Sequence, residues 1–220
     1  MPSVMHMALA SYGSSGVAPS VVQRTTTGGA ARTTSTVLAW AAATAGNLIV
    51  VEFVCETNAA APTTPAGYSL WPSGNPSSGG GWTTSIFYKV ATGGETGVTI
   101  THGSNVTCSV MREFGNTSGT IDFVAPSTAT SANPNPPSLT PAGGAKNYLW
   151  VAGASYITTS VSAFSTSYLN GVSGISTSAG HLSRISSAER ALDAAVEDPG
   201  TLTLAASSIH TAFTYAVSPA

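Results

Sequence analysis

Charged side chains are scarce in this 220-residue chain: Asp, Glu, Lys and Arg make up 7% of it, against about 25% in an average soluble domain. The formal net charge is −2, so the chain lacks the basic surface that binds nucleic acid or anionic lipid. We therefore expect neither a nucleic-acid nor a membrane partner. A surface this poor in charge gains little solubility from self-repulsion, which favours a protein held inside a stable assembly over a neutral soluble domain.

Long apolar runs and metal-ligand spacings are also lacking. No apolar run approaches the roughly 18 residues of a transmembrane helix, and the first ten residues lack the basic region of a signal peptide, which predicts synthesis in a cytoplasm. The four histidines are scattered singly, so we expect no metal and no cofactor. Cys55 and Cys108 are expected to be free, buried thiols, because a cytoplasm is reducing. A disulfide stays open as the alternative, and it requires that the two strands lie side by side with facing β-carbons.

Strand-forming residues and turn residues fill the space that charge leaves. Thr and Val favour strands, and 23 Gly and 13 Pro supply turns. Residues 48–56 (LIVVEFVCE) are almost continuously apolar, as in a central strand, and residues 105–114 alternate between two faces. Further strands are predicted at residues 82–91 and 147–156. Turn signals every 8 to 12 residues then indicate an all-β fold, an antiparallel two-sheet sandwich that is jelly-roll-like.

The predicted organisation has two parts. Residues 1–34 form an extended N-terminal arm or edge strands, with weak strands at residues 4–9 and 20–26, and residues 35–220 form the sandwich. The Pro- and Ser-rich residues 125–137 are predicted to be a loop.

Two predictions concern the C-terminal third of the chain. Residues 200–205 and 208–218 are expected to form a closing hairpin. Residues 186–198 (SSAERALDAAVED) combine helix propensity with a position where tertiary context could impose a strand, and the residues alone leave both open.

Catalytic motifs are weak. Residues 171–174 (GVSG) lack the Gly-x-Ser-x-Gly spacing of a nucleophile elbow. Glu52 is the most interesting carboxylate because it lies within an apolar run. A structural role is favoured for it, either as a partner for Arg112 or as a solvent-facing residue at a sheet edge. A hydrolase that uses Glu52 ranks third, after the two non-enzymatic hypotheses given at the end of this section. We therefore predict that the chain is not an enzyme.

Aromatic side chains around one long loop are the candidate contact residues, namely Tyr68, Trp71 and Trp82. An aromatic ring beside polar residues could stack on a sugar, because the ring offers an apolar face with a polar edge. The alternative, which we favour, is that these rings fill the core between two sheets and anchor the loop.

A series of short motifs, in order, resembles a β-sandwich domain of tailed-bacteriophage virion proteins, found in capsid decoration and tail-associated proteins. The motifs are Gly46-Asn47 before an apolar strand, Pro65-Ala66-Gly67-Tyr68 with Tyr for the usual Trp, Tyr88-Lys89-Val90-Ala91, Gly94-Glu95, Glu113-Phe114-Gly115, Ile121-Asp122 and Tyr148-Leu149-Trp150-Val151. The resemblance covers about residues 35–219. It implies a strand at residues 186–198 and a structural role in the virion, since none of its motifs carries catalytic residues.

The leading hypothesis is a capsid decoration or cement protein that binds the major capsid protein, or other virion proteins, as a small homo-oligomer such as a trimer. It would be made in the host bacterial cytoplasm and reside in the virion. The alternative is a tail- or fibre-associated module that binds a surface glycan or receptor through Tyr68, Trp71 and Trp82.

Overall fold

The computed structural model describes residues 16–29, 31–56, 61–77, 81–157, 159–176 and 182–220. Within these ranges the chain is all-β, with antiparallel sheets and no helix, which confirms the predicted all-β class and is consistent with a β-sandwich. In chain order the strands are β1 (Ser20–Gly28), β2 (Thr33–Ala39), β3 (Leu48–Glu56), β4 (Ser69–Leu70), β5 (Trp82–Val90), β6 (Gly97–Asn105), β7 (Thr107–Gly115), β8 (Thr117–Phe123), β9 (Ser127–Ser131), β10 (Lys146–Tyr156), β11 (Val161–Ala163), β12 (Leu169–Ile175), β13 (Arg184–Ala194), β14 (Thr203–Leu204) and β15 (Ser208–Pro219).

Two main sheets enclose the largest apolar cluster. The first sheet has the order β1-β7-β3-β5-β4, and the second has the order β12-β13-β10-β15-β8, with β9 also paired to β15. Alternate residues of β3, such as Val50 and Val54, contribute to this cluster from the first sheet, and Val151 and Phe213 contribute from the second. Burial of side chains from both sheets in one cluster is the main apolar contact that joins them.

Smaller layers cover the outer faces of both main sheets. The two-stranded sheet β2-β6 packs on the first sheet, where Leu38 and Ile100 join Ile49, Val51 and Phe53 in a second cluster. On the second sheet, the β11-β14 pair and neighbouring loops cover the outward side chains of β10. Because β3 and β10 are buried on both faces, each contains a run of mostly apolar residues instead of a polar-apolar alternation.

Glycine allows β12 to approach the first sheet closely. A β-carbon added at Gly174 would lie 2.5 Å from the carbonyl oxygen of Ser109 on β7, and one added at Gly28 would lie 1.6 Å from the carbonyl oxygen of Ile175. Any larger residue at either position would therefore separate the strands. These contacts bring the edge strand of the second sheet against the edge of the first.

Three local predictions meet different outcomes. Residues 186–194 lie in strand β13, which confirms the strand and excludes the helix there. The predicted loop at residues 125–137 contains strand β9, because the long strand β15 offers a free edge to which residues 127–131 pair. The predicted closing hairpin is wrong, since β14 pairs with β11 and not with β15.

The described part of the predicted arm belongs to the sheets. Strand β1 pairs with β7 at an edge of the first sheet, and β2 begins at Thr33. The predicted strand at residues 4–9 lies outside the described residues. At the other end, Asn116, in the left-handed region at φ 56°, joins both ends of the described chain. Its side-chain amide donates to the carbonyl of Val17 at 2.8 Å, and its carbonyl accepts from the N–H of Ala220 at 3.3 Å.

Candidate functional site

Glu52 is the centre of a polar network buried between the two main sheets. It lies on β3 with its side chain directed towards the second sheet, and it is completely buried. Its Oε1 accepts from Arg112 Nη1 at 2.7 Å and from the hydroxyl of Tyr215 at 2.8 Å. Its Oε2 accepts from the hydroxyl of Ser187 at 2.5 Å. Glu52 is thus the predicted partner of Arg112, and it does not face solvent.

Arg112 carries the charge that compensates Glu52. Burial acts to lower the pKa of the Arg112 guanidinium, but the nearby carboxylates of Glu52 and Glu189 outweigh burial and raise it, so Arg112 remains a cation. Burial and then the negative charge of Glu52 raise the pKa of Tyr215 well above its usual range. The Tyr215 hydroxyl therefore stays protonated and donates a hydrogen bond to the Glu52 carboxylate.

The network continues from the interior to the protein surface. Arg112 Nε lies 3.9 Å from Glu189 Oε2, and Glu189 Oε1 lies 2.5 Å from Arg24 Nη2. Arg112 and Glu189 are buried, whereas Arg24 is about one-third exposed. A row of alternating charges thus runs from β3 through β7 and β13 to the edge strand β1. A buried pair of this kind is costly to break by removing one partner.

A surface cleft of about 540 Å³ opens where this row reaches solvent. It lies between β1 and strands β12 and β13. Its apolar lining comes from Val21, Leu149, Leu169 and Ala191, and its polar lining includes Arg24, Glu189, Arg190 and Asn170. Both arginines are already paired, Arg24 with Glu189 and Arg190 with Glu197 at 2.7 Å. The cleft therefore combines an apolar patch with charges that neutralise each other.

Other acidic side chains also have internal structural partners. Glu113 accepts from the side chains of Gln23 and Asn47 and from the backbone N–H of Thr44. Burial acts against ionisation of Glu113, but these three donors together lower its pKa. Glu95 binds Lys89 at 2.7 Å and the backbone of Thr92 at 2.8 Å. These carboxylates hold turns and strands in place.

The three aromatic candidates do not share an exposed surface. Trp71 is 1% exposed and packs edge-on against Phe123 and Phe213 in the cluster between the sheets, and its indole N–H donates to the carbonyl of Gly74. Trp82 is buried in the same cluster. Tyr68 is half-buried against the outer cluster of the first sheet, with Lys89 Nζ 5.6 Å from its ring centre. The burial of Trp71 and Trp82 agrees with core filling, whereas the ring of Tyr68 stays partly exposed.

The cysteine thiols are free and buried, as predicted. Cys55 belongs to the outer cluster of the first sheet and Cys108 to the cluster between the sheets, so their side chains lie on opposite faces. Burial raises the pKa of each thiol to about 12. Among the described residues, no three His, Cys, Asp or Glu side chains converge to hold a metal ion.

Sequence reasoning identified Glu52 and Arg112 but missed Ser187, Glu189 and Tyr215. A glutamate inside an apolar strand signals a buried cation partner, whereas contacts across 135 or 163 residues leave no local pattern. Apolar and polar residues alternate along β15, which puts Tyr215 on the same face as Phe213, and this pattern is the sequence signal that could have found Tyr215.

Comparison with known proteins yields no matching family model, no similar curated protein and no similar solved structure. Within the described ranges, no helix has the length and apolar character needed to cross a membrane.

Proposed function

We propose that this chain is a structural subunit of a tailed-bacteriophage virion, a decoration or cement protein that binds the major capsid protein. The phage setting derives from the ordered sequence motifs, and the jelly-roll-like arrangement of the sandwich is part of the same proposal. Two features of the molecule support the structural role. Its acidic groups stabilise its own fold, and its exposed apolar residues lie where another protein can reach them.

The observation that carries the proposal is the position of these apolar residues. Val22 on β1, Val37 on β2, and Leu169 and Ile175 on β12 are 40–68% exposed. Each of these strands pairs with a single neighbour among the described strands. Edge strands of this kind normally carry Lys, Pro or other features that prevent contact with a second chain.

Strand β2 differs most clearly from edge strands that are protected by Lys or Pro. Its seven residues, Thr33–Ala39 (TTSTVLA), contain no charge and no proline. Val37 is exposed at its centre, opposite Thr99 on β6. An uncharged edge with an exposed branched side chain is suited to a permanent interface, in which it becomes covered.

The proposal is tested by measuring copy number in particles. Virions released from cells that carry the gene are purified on a density gradient, and the chain is quantified against the major capsid protein by mass spectrometry. Hundreds of copies per particle support a capsid decoration protein. A dozen or fewer would move the chain to the tail, and its absence from particles would refute a virion role.

A glycan array with the purified protein examines the carbohydrate alternative. The decoration role predicts no binding. Sugar binding that persists in Val37→Asp but is abolished by Tyr68→Ala would favour the glycan-binding module, because Tyr68 is the least buried of the three aromatic candidates.

A further inference from the structure

The cleft between β1 and β12 has the features of a docking site for a peptide segment. Its floor includes the buried Leu149, and its walls include the half-buried Val21 and the exposed Leu169. A volume of about 540 Å³ accommodates a few side chains, since small-ligand pockets span roughly 300–1,000 Å³.

The electrostatics of the cleft favour an uncharged occupant. Arg24 and Arg190 are the cations at its rim, and each is paired with a carboxylate at 2.5 Å and 2.7 Å. An acidic ligand would have to displace Glu189 or Glu197, and a basic ligand would have to displace an arginine. A segment without charge keeps both pairs and adds apolar contacts.

The chain itself contains a segment of this chemistry next to the cleft. Residues 1–15 (MPSVMHMALASYGSS) include Val4, Met5, Met7 and Leu9 and contain no Asp, Glu, Lys or Arg. They join the described chain at Gly16, three residues before Pro19, which lines the cleft. Fifteen extended residues can span up to about 50 Å, which is comparable to the diameter of a domain of this length, so the segment can extend beyond its own subunit.

We propose that the cleft between β1 and β12 binds residues 1–15 of a second copy of the chain. This inference rests on the proposed role in an assembly and names the contact that joins its subunits. The exchange would cover Leu169, which is 68% exposed in the single chain. It would use the neutral, Met-containing segment as an adaptable apolar ligand.

Photo-crosslinking of the full-length protein tests the exchange. The photoreactive residue p-benzoylphenylalanine replaces Leu9, the purified protein is irradiated, and products are separated on a denaturing gel and mapped by mass spectrometry. The expected product is a covalent dimer in which position 9 is linked to cleft residues such as Leu169 or Ala191. A link to the cleft found only in monomer-sized product would show that each chain binds its own segment, and it would overturn the proposal. No link to the cleft would overturn it too.

A matched pair of surface variants controls for general effects. In Leu169→Asp, the yield of covalent dimer should fall about tenfold, because one apolar contact is lost and a charge is placed in the cleft. Val90→Asp changes an exposed residue at the end of β5 that does not line the cleft, and it should leave the yield unchanged. Equal yields in both variants would refute the cleft as the binding site. Crosslinking uses purified protein, so its result is independent of the copy number in particles.

Discussion

Replacing Arg112 with Met is expected to reduce the free energy of unfolding by about 3–5 kcal/mol, the usual cost of leaving one member of a buried ion pair without its partner. Arg112 and Glu52 are each 1% exposed, so water cannot replace the lost cation. The hydroxyls of Tyr215 and Ser187 still donate to Glu52. Two neutral donors do not compensate a buried negative charge. The unpaired Glu52 carboxylate therefore determines how much free energy of unfolding is lost in Arg112→Met.

Urea unfolding followed by tryptophan fluorescence measures this loss, since Trp71 and Trp150 are fully buried. Lys89→Met is the matched control, because it removes the cation of the more exposed pair with Glu95 and should cost at most about 1 kcal/mol. Adding Glu52→Gln to Arg112→Met removes the unpaired charge and should restore about 2 kcal/mol or more. Equal losses for Arg112→Met and Lys89→Met, or no recovery in the double variant, would refute the reasoning.

Three further predictions concern other parts of the fold. Burial lowers the pKa of His102 and His210, so the unfolded chain binds protons at a higher pH than the folded chain does, and stability should fall as pH drops below about 6.5. Urea unfolding midpoints at pH 7.5 and 5.0 measure this fall. If the difference between the two midpoints is the same in His210→Gln, His210 is excluded as a cause. The thiols of Cys55 and Cys108 should not react with Ellman's reagent at pH 8 until urea unfolds the chain, because burial raises the pKa of each to about 12. Fast reaction of the folded protein would contradict their burial. Gly28→Ala should destabilise the chain by about 1–3 kcal/mol, because the added β-carbon would overlap the Ile175 carbonyl. Gly29→Ala is the control, because the atom nearest to a β-carbon at Gly29 is 3.4 Å away. Equal urea unfolding midpoints for the two variants would show that the close approach at Gly28 is unimportant.

Strands with strong apolar patterns could be predicted from the sequence, and strands without them could not. The predicted bounds of residues 48–56 coincide with β3, because burial on both faces makes most residues of that strand apolar. Strand β9 has the sequence STATS, which carries no apolar alternation, and it forms because β15 offers an edge. The pairing of β14 with β11 brings together residues about 40 apart, whereas sequence reasoning assumed that neighbours in the chain form a hairpin.

The polar network was predictable in part. A glutamate within an apolar strand favours a nearby cation, and Arg112 is the cation of the alternating strand predicted at residues 105–114. Glu189 was not predicted, because residues 186–198 left helix and strand open, and only a strand fixes which of their side chains turn inward. For Trp71 and Trp82, the favoured interpretation from sequence was core filling, and both rings are buried in the cluster between the sheets.

Asn116 contacts both Val17 and Ala220, and Gly16 lies beside Ala220, so both ends of the described chain meet at one corner of the molecule. This has a practical consequence for protein engineering. A tag or fluorescent domain fused after Ala220 would emerge beside the point where residues 1–15 leave the described chain, and it could obstruct them sterically. Labels for studying subunit association are better placed in an exposed turn remote from that corner. The same proximity means that a short linker between Gly16 and Ala220, the two ends of the described chain, should give a circular permutant whose sheets retain their order.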